Sequence, residues 1–430
     1  MDVPNESRNV LTQKPAASTD NVSGFPQITW LEAFRDRVNA DPEMKLVGNW
    51  FTASISLSFG DMRYVLHVNK GCIGEIVANP RLDVRAAFGF RAPLEVWRKF
   101  LSARPPPLYH DFFAMLMRVL EFVIEGDSLI AMQNARAPSH DEPYAWHGGL
   151  ALTEFEPIVG RYMPATFDSV DYRIYVEEAG SGVPLLCLHT AGADSRQFRH
   201  VLNDPEVTGR FRVVAFDLPW HGRSNPPADW WLMRYRLTTK IYLGIIRAVW
   251  KALALERPVV MGCSMGGAIV LKLAAEHQDE LRGIIGLESA AYAPGRYNDF
   301  LHHPAIHGGE LCASYTYGLN SPLSPEPNRR ENWWYYSQSG PGIYQGDVHF
   351  YSNDWDARED VRRIDTAKCR VALLTGEYDY SCTPAMTEAF ARAIGGARFT
   401  VMTGMGHFPM VENYPEFRRH LLPELERMLA

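Results

Sequence analysis

No stretch of the 430 residues approaches the roughly 18 consecutive apolar positions of a membrane-spanning helix. No block of Lys and Arg could track a phosphate backbone. With 43 Lys plus Arg against 50 Asp plus Glu the net charge is −7, and nucleic acid is not an expected partner. The six cysteines (Cys72, Cys187, Cys263, Cys312, Cys369, Cys382) form no C-x-x-C pair, which argues against a disulfide framework and against a cysteine zinc site. They are expected as buried, reduced thiols. The opening MDVPNESRNVLTQKPAASTDNVSG lacks the charged and then apolar regions of a signal peptide, so a cytoplasmic location is expected. What is present is ordinary soluble composition, 46% apolar, over a length suited to two or three domains.

Residues 1–24 are rich in Asn, Ser, Thr, Pro and Ala without periodicity and read as a disordered tail. From Ile28, ITWLEAFRDRVNADPEM sets Trp30, Phe34 and Val38 four apart on one helical face, closed by Asp41-Pro42. WFTASISLSFGDMRYVLHVNKGCIGEIV then alternates with period two around Gly-Asp and Asn-Lys-Gly turns, an antiparallel meander. PLEVWRKFLSA, the break at Pro105, Pro106 and Pro107, the helical DFFAMLMRVL and the strand-like EFVIEG complete a small α+β domain over 25–140. This order resembles the sterol-carrier-protein-2-like lipid-binding domains, which implies an apolar tunnel for a sterol or acyl chain. The alternative is that Trp97, Phe100, Phe112, Phe113 and Met115 simply fill a core. Residues 141–168 read as a linker.

From Tyr172 short apolar runs (YRIYVEE, PLLCLH, RVVAFD, PVVMG, GIIGLE, RVALLTG, RFTVMTG) alternate with amphipathic segments of helix length. This is the pattern of a doubly wound, mostly parallel α/β sheet over 169–430. Within it, Gly262-Cys263-Ser264-Met265-Gly266 is a G-x-S-x-G between an apolar strand and a helix, the context of a nucleophile elbow, and Ser264 is the candidate nucleophile. Loops after the last two strands carry Thr375-Gly376-Glu377-Tyr378-Asp379 and Gly404-Met405-Gly406-His407-Phe408-Pro409. A serine hydroxyl needs a base and the base an orienting carboxylate, so Ser264, Asp379 and His407 form a candidate triad.

Together LLCLHTAGADS, VVAFDLPWHGRS, VVMGCSMGG, LLTGEYD and GMGHFPMVENYPEF resemble the α/β-hydrolase fold family, in its esterase, lactonase and carbon–carbon hydrolase branch. The resemblance implies that Ser264 attacks a carbonyl, His407 shuttles the proton and Asp379 holds the imidazole. Glu377 and Glu288 are the alternative acids. His221 lies before the nucleophile, in a turn where the family has a histidine without catalytic duty, and Asp217 and Arg223 read as loop-stabilising residues. The resemblance also implies an oxyanion hole of the Met265 and Ala191 backbone N–H groups. Thr190 stands where His-Gly is usual, and a β-branched residue resists positive φ. Trp220 stands where the D-x-P-G-H-G turn commonly has Gly.

Residues of about 290–360 interrupt the alternation where the family carries a cap, and they are dense in Trp, Tyr and Phe. An apolar pocket above Ser264 is expected, with Trp220, Trp333, Trp334 and Phe408 as its candidate walls. His302, His303 and His307 with Asp299 match no zinc spacing, and the chemistry calls for neither metal nor cofactor.

The expected activity is serine hydrolysis of an ester or lactone of a hydrophobic substrate. Hydrolysis of a carbon–carbon bond in a ring-cleavage product, thioester hydrolysis, and a lipid-binding protein with an inactive hydrolase domain are the other readings. The N-terminal domain would deliver or sequester an apolar ligand, or mediate homo-oligomer formation.

Overall fold

A computed structural model describes residues 24–81, 83–135 and 155–430. The expected tail up to residue 23 and the linker up to residue 154 lie outside the described residues.

The N-terminal part opens with the helix Ile28–Ala40, where Trp30 stacks on Phe34 with centroids 5.7 Å apart. Asp41 ends this helix and starts the next, Pro42–Val47, its carboxylate accepting from the Glu43 and Met44 N–H groups. An aspartate followed by proline serves both purposes, since the ring needs no N–H partner at a first helical position. Strands β1 (Ala53–Phe59), β2 (Met62–Asn69) and β3 (Cys72–Ala78) form the antiparallel meander; β4 (Phe88–Ala92) then runs parallel to β1, and β5 (Val123–Gly126) antiparallel to β4. The order is β3-β2-β1-β4-β5.

Its interior is ring against ring. Phe59 meets Trp97 at 5.0 Å, Trp97 meets Phe122 at 5.5 Å and Phe90 meets Phe112 at 4.6 Å, while the Trp97 indole N–H donates to Ser58 O at 2.9 Å. Cys72 corrects the expectation of six buried thiols: it opens the edge strand β3 straight after the Lys70-Gly71 turn and is exposed, while the other five are buried.

The second sheet has eight strands: β6 (Val159–Phe167), β7 (Val170–Ala179), β8 (Val183–Leu188), β9 (Phe211–Phe216), β10 (Val259–Cys263), β11 (Gly283–Leu287), β12 (Arg370–Gly376) and β13 (Arg398–Met402). Their order is β13-β12-β11-β10-β8-β9-β7-β6, parallel from β13 to β9 and antiparallel at β7 and β6. β10 and β11 are buried at every residue, as an unbroken apolar run requires when helices cover both faces. This sheet starts ten residues before the boundary read from the sequence. β6 carries Gly160 and Pro164 and buries only Met163 and Ala165, too little for an edge strand to show a period.

Three helices, Gly308–Tyr317, Glu326–Ser337 and Ile343–His349, lie in the insertion between β11 and β12 and form the cap. The N-terminal part is fastened to both the cap and the main sheet. Glu43 pairs with Arg330 at 2.6 Å, Gln133 donates to Ala305 O at 3.0 Å, and the Tyr378 hydroxyl donates to Pro105 O at 3.2 Å. Among the described residues no helix is long and apolar enough to cross a membrane.

The N-terminal part also meets the cap at Gly318, which packs against the buried Asp111, the cap of the helix Phe112–Arg118. A Cβ at Gly318 would stand 2.1 Å from Asp111 Oδ1. Gly318→Ala should therefore lower stability by about 1–3 kcal/mol, as overpacking of a closed contact does. Urea unfolding checks this, and an unchanged midpoint would show that the contact yields freely.

Candidate active site

Ser264 sits between β10 and the helix Met265–His277 at φ 56°, ψ −112°, a conformation that L residues avoid and that costs of order 1–3 kcal/mol. The turn survives because strand and helix meet with no space for side chains. A Cβ at Gly262 would lie 2.2 Å from Gly266 O, and one at Gly266 would lie 2.4 Å from Leu188 O. Ser264 N–H donates to Leu287 O at 2.9 Å, which ties the elbow to the end of β11. The serine is 7% exposed.

His407 is carried by the loop after β13, whose backbone meets the elbow at Cys263. The Cys263 thiol donates to His407 O at 3.2 Å, and His407 N–H donates to Leu319 O of the cap at 2.9 Å. The His407 ring meets a carboxylate: Nδ1 lies 2.7 Å from Asp379 Oδ2. Asp379 Oδ1 accepts from the N–H groups of Ser381 at 2.7 Å and Cys382 at 3.0 Å. Burial alone would raise the Asp379 pKa, but His407, a hydrogen bond from Glu288 and the backbone N–H groups hold it below its ordinary value. An ionised carboxylate only accepts, so Nδ1 carries the proton and Nε2 is left as the basic nitrogen.

Glu288, the first residue after β11, is fully buried at φ 52° and takes the Gly376 N–H on both oxygens at 3.0 Å. Burial, then the neighbouring Asp379 charge, push its carboxyl well above the ordinary range. The structure thus brings both candidate acids to His407, the hydrogen bond from the ring going to Asp379. Glu377 turns away, accepting from Gly404 N–H at 2.8 Å. One donor atom each of Glu288, Asp379 and His407 lie within 4.8 Å of one another, close enough for a cation, although each residue already carries protein hydrogen bonds.

Residues 183–414 match the family model described as alpha/beta hydrolase fold. The chain belongs to this family. A proline iminopeptidase of Lactobacillus delbrueckii subsp. lactis is 25% identical over 296 residues, 61% of this chain and 97% of that protein. Among solved structures, a thermophilic esterase from Thermogutta terrifontis aligns with TM-score 0.55 at 19% identity, over 63% of this chain and all of that one. The enol-lactonase from Burkholderia xenovorans LB400 aligns with TM-score 0.54 at 19% identity, over 61% of this chain and all of that one. At such identity the two structures speak for the fold.

The end of β8 lies against the elbow helix, Leu188 O standing 2.4 Å from where a Gly266 Cβ would be, and the loop that follows it carries Ala191. Met265 is the first residue of its helix, so its N–H has no intrahelical acceptor. Ala191 lies between two anchored neighbours: Thr190 N–H donates to Gln197 Oε1 at 3.1 Å and Gly192 N–H to Asp347 Oδ2 at 2.7 Å. Positive φ in this loop falls on Gly192, at 72°, so Thr190 is spared it and its hydroxyl is free to bond Gln197 and the Tyr336 hydroxyl. Trp220 does adopt positive φ, 77°, and packs on Trp230 and Tyr235. Phe408 is fully buried between His407 and Tyr336, and Trp333 is half-buried. Trp334 corrects the pocket expectation: it is 54% exposed, because the inner face of the helix Glu326–Ser337 is taken by Asn332, Tyr335 and Tyr336. His303 and His307 each accept a local backbone N–H rather than converging.

Sequence reasoning passed over two buried acids, Asp347 and Glu412, that hold this site. Asp347, fully buried in the cap, accepts from Gly192 N–H, from the Tyr235 hydroxyl at 2.7 Å and from His221 Nε2 at 2.8 Å. His221 therefore ties the cap to the β8 loop. Glu412 takes the N–H groups of Gly406 at 2.8 Å, Phe408 at 3.2 Å and Ser321 at 2.6 Å and the Ser324 hydroxyl at 2.9 Å, locking the His407 loop to the cap. Tyr336 stands over Thr190 and Phe408. A carboxylate in an otherwise apolar or aromatic segment was the available signal, and it names no partner.

Glu288 generates a test. Unfolded, it ionises near its ordinary value of 4.5; folded, it keeps its proton well above that. The folded state then holds the extra proton, so stability from this group is greatest below pH 4.5 and falls as pH rises toward the folded value, at up to about 1.4 kcal/mol per pH unit. Glu288→Gln cannot ionise, and its stability relative to wild type should climb between pH 5 and 8 in urea titrations. A difference that stays flat with pH would mean that Glu288 is ionised in the folded protein.

Proposed function

We propose that the protein is a serine hydrolase that cleaves a carboxylic ester or lactone of a hydrophobic substrate through an acyl-enzyme on Ser264. The observation that carries this reading is the His407–Asp379 hydrogen bond at 2.7 Å, delivered to the strained Ser264 elbow by adjoining strand ends. Nε2 of His407 takes the Ser264 proton as Oγ attacks the carbonyl, then returns it to the leaving alkoxide; water repeats the cycle in reverse. The developing oxyanion is received by the Met265 and Ala191 N–H groups, and the positive end of the helix Met265–His277 adds to their field. Phe408, Tyr336 and Trp333 supply an apolar wall, which supports a hydrophobic acyl or ring group.

The resemblance of the G-x-S-M-G-G elbow to carbon–carbon hydrolases keeps that bond as the second reading. The N-terminal domain is read as a packed support, since its aromatic rings occupy one another's faces and edges.

Turnover of p-nitrophenyl esters of increasing acyl length and of aromatic lactones tests the proposal. Wild type should cleave them, and Ser264→Ala should lose about ten-thousand-fold or more in kcat. Ring-cleavage dienones turned over in place of the esters, with no alcohol released, would transfer the site to the carbon–carbon reading. Activity that survives in Ser264→Ala would remove the serine from the chemistry.

A further inference from the structure

The loop after β12 that bears Asp379 turns its N–H groups and its carbonyls to opposite sides. Ser381 and Cys382 N–H point at Asp379 Oδ1. The carbonyls of the same two peptide groups, Tyr380 O and Ser381 O, point at guanidinium groups. Arg118 donates to Tyr380 O through Nε at 2.7 Å and to Ser381 O through Nη2 at 3.0 Å, and Arg296 Nη2 also donates to Ser381 O. Two peptide groups therefore stand in line between arginine and aspartate, each polarised with its positive end toward the carboxylate.

The two arginines come from different parts of the molecule. Arg118 ends the helix Phe112–Arg118 of the N-terminal domain; Arg296 lies at the entry to the cap. Among the described residues neither has a carboxylate within ion-pair distance, and Arg296 keeps a buried Nε with no acceptor. Two partly buried cations without a direct counter-ion carry part of the cost of desolvation in isolation. The nearest ionised acid they act on is Asp379, through the peptides. Before the start of that helix, His110 Nε2 meets Gly318 O at 3.2 Å, its ring packs on Tyr378 at 5.2 Å and Tyr380 at 5.9 Å, and the Tyr378 hydroxyl donates to Pro105 O. The N-terminal domain thus grips both flanks of the acid.

We propose that Arg118 is a positioning residue for the reaction: the N-terminal domain orients the carboxylate of Asp379 from behind its loop, so the active site is complete only with that domain docked. The inference rests on the hydrolase reading for its kinetic consequence, and on the loop geometry alone for its structural one.

The full-length chain is assayed with p-nitrophenyl butyrate and by proton NMR for the low-field Nδ1 proton of His407 that its bond to Asp379 produces. Arg118→Ala should lower kcat roughly tenfold or more with KM within about threefold, and should weaken or shift the low-field proton. Arg118→Lys, which keeps the cation but spans one carbonyl, should fall between. Glu43→Gln loosens the same interface through the Arg330 pair without touching the acid loop, and should leave kcat near wild type.

Wild-type kcat and an unmoved proton in Arg118→Ala overturn the inference, as does an equal kcat loss in Glu43→Gln. If the alanine variant does not fold, the lysine variant decides by the same readouts: reduced kcat at unchanged KM supports the inference, and wild-type kcat overturns it. A wild type that neither cleaves the ester nor reacts with a fluorophosphonate at Ser264 defeats the hydrolase reading, and the low-field proton of wild type against Arg118→Ala then decides the geometry by itself.

Discussion

One negative charge, on Asp379, has to be kept ionised in a site closed to water, and much of the surrounding structure follows from that requirement. Burial by itself would protonate the acid. Against this stand the His407 ring, two backbone N–H groups, the proton held by Glu288, and two arginines acting through the peptides they bond. The second carboxyl does not compete for the role. Two acids in mutual contact resist ionising together in such surroundings; His407 and the backbone N–H groups hold the Asp379 carboxyl down while burial and the Asp379 charge push Glu288 up, so the proton falls to Glu288.

The second constraint is mechanical. Ser264 is held in a conformation that its own backbone resists, and the main sheet absorbs the strain by packing β10, the following helix and β8 at distances where Gly262 and Gly266 leave no space for a methyl group. The catalytic loops, in contrast, are not part of the sheet and are held from above. Asp347 draws the loop after β8 to the cap, and Glu412 draws the His407 loop to residues 321–324. Both are buried acids that accept several N–H or O–H groups at once, so each fixes its loop at more than one point.

What the sequence made legible was whatever repeats locally. The apolar runs of β10 and β11, the meander of β1–β3 and the strand–turn–helix around Ser264 each depend on neighbours a few residues away. The order Ser264, Asp379, His407 was likewise readable, because each residue sits next to a strand end with its own turn glycine. β6 was not, since an edge strand with Pro164 buries two side chains and leaves no period. Nor was the inward turn of Tyr336 and the outward turn of Trp334, which depend on how the helix Glu326–Ser337 lies on the main domain. Arg118, Asp347 and Glu412 act on atoms between 4 and 268 positions away along the chain, and residue type alone names none of those partners.

These contacts make the cap and the N-terminal domain parts of the site. A lone α/β sheet can present a serine elbow, because strand and helix build it from within. It has fewer means to hold the loops that bear His407, Asp379 and Ala191, which project beyond the strand ends. In this chain each of those loops is bonded to an element outside the sheet: His407 N–H to Leu319 O, Gly192 N–H to Asp347, and the Asp379 loop to Arg296 and Arg118. An added domain whose interior is filled by its own aromatic rings, and whose helix end bonds the loop behind the acid, contributes orientation rather than a second binding pocket. Orientation is what the proposed acid–base–nucleophile relay demands, since a proton transfer from serine to imidazole depends on where the ring is held.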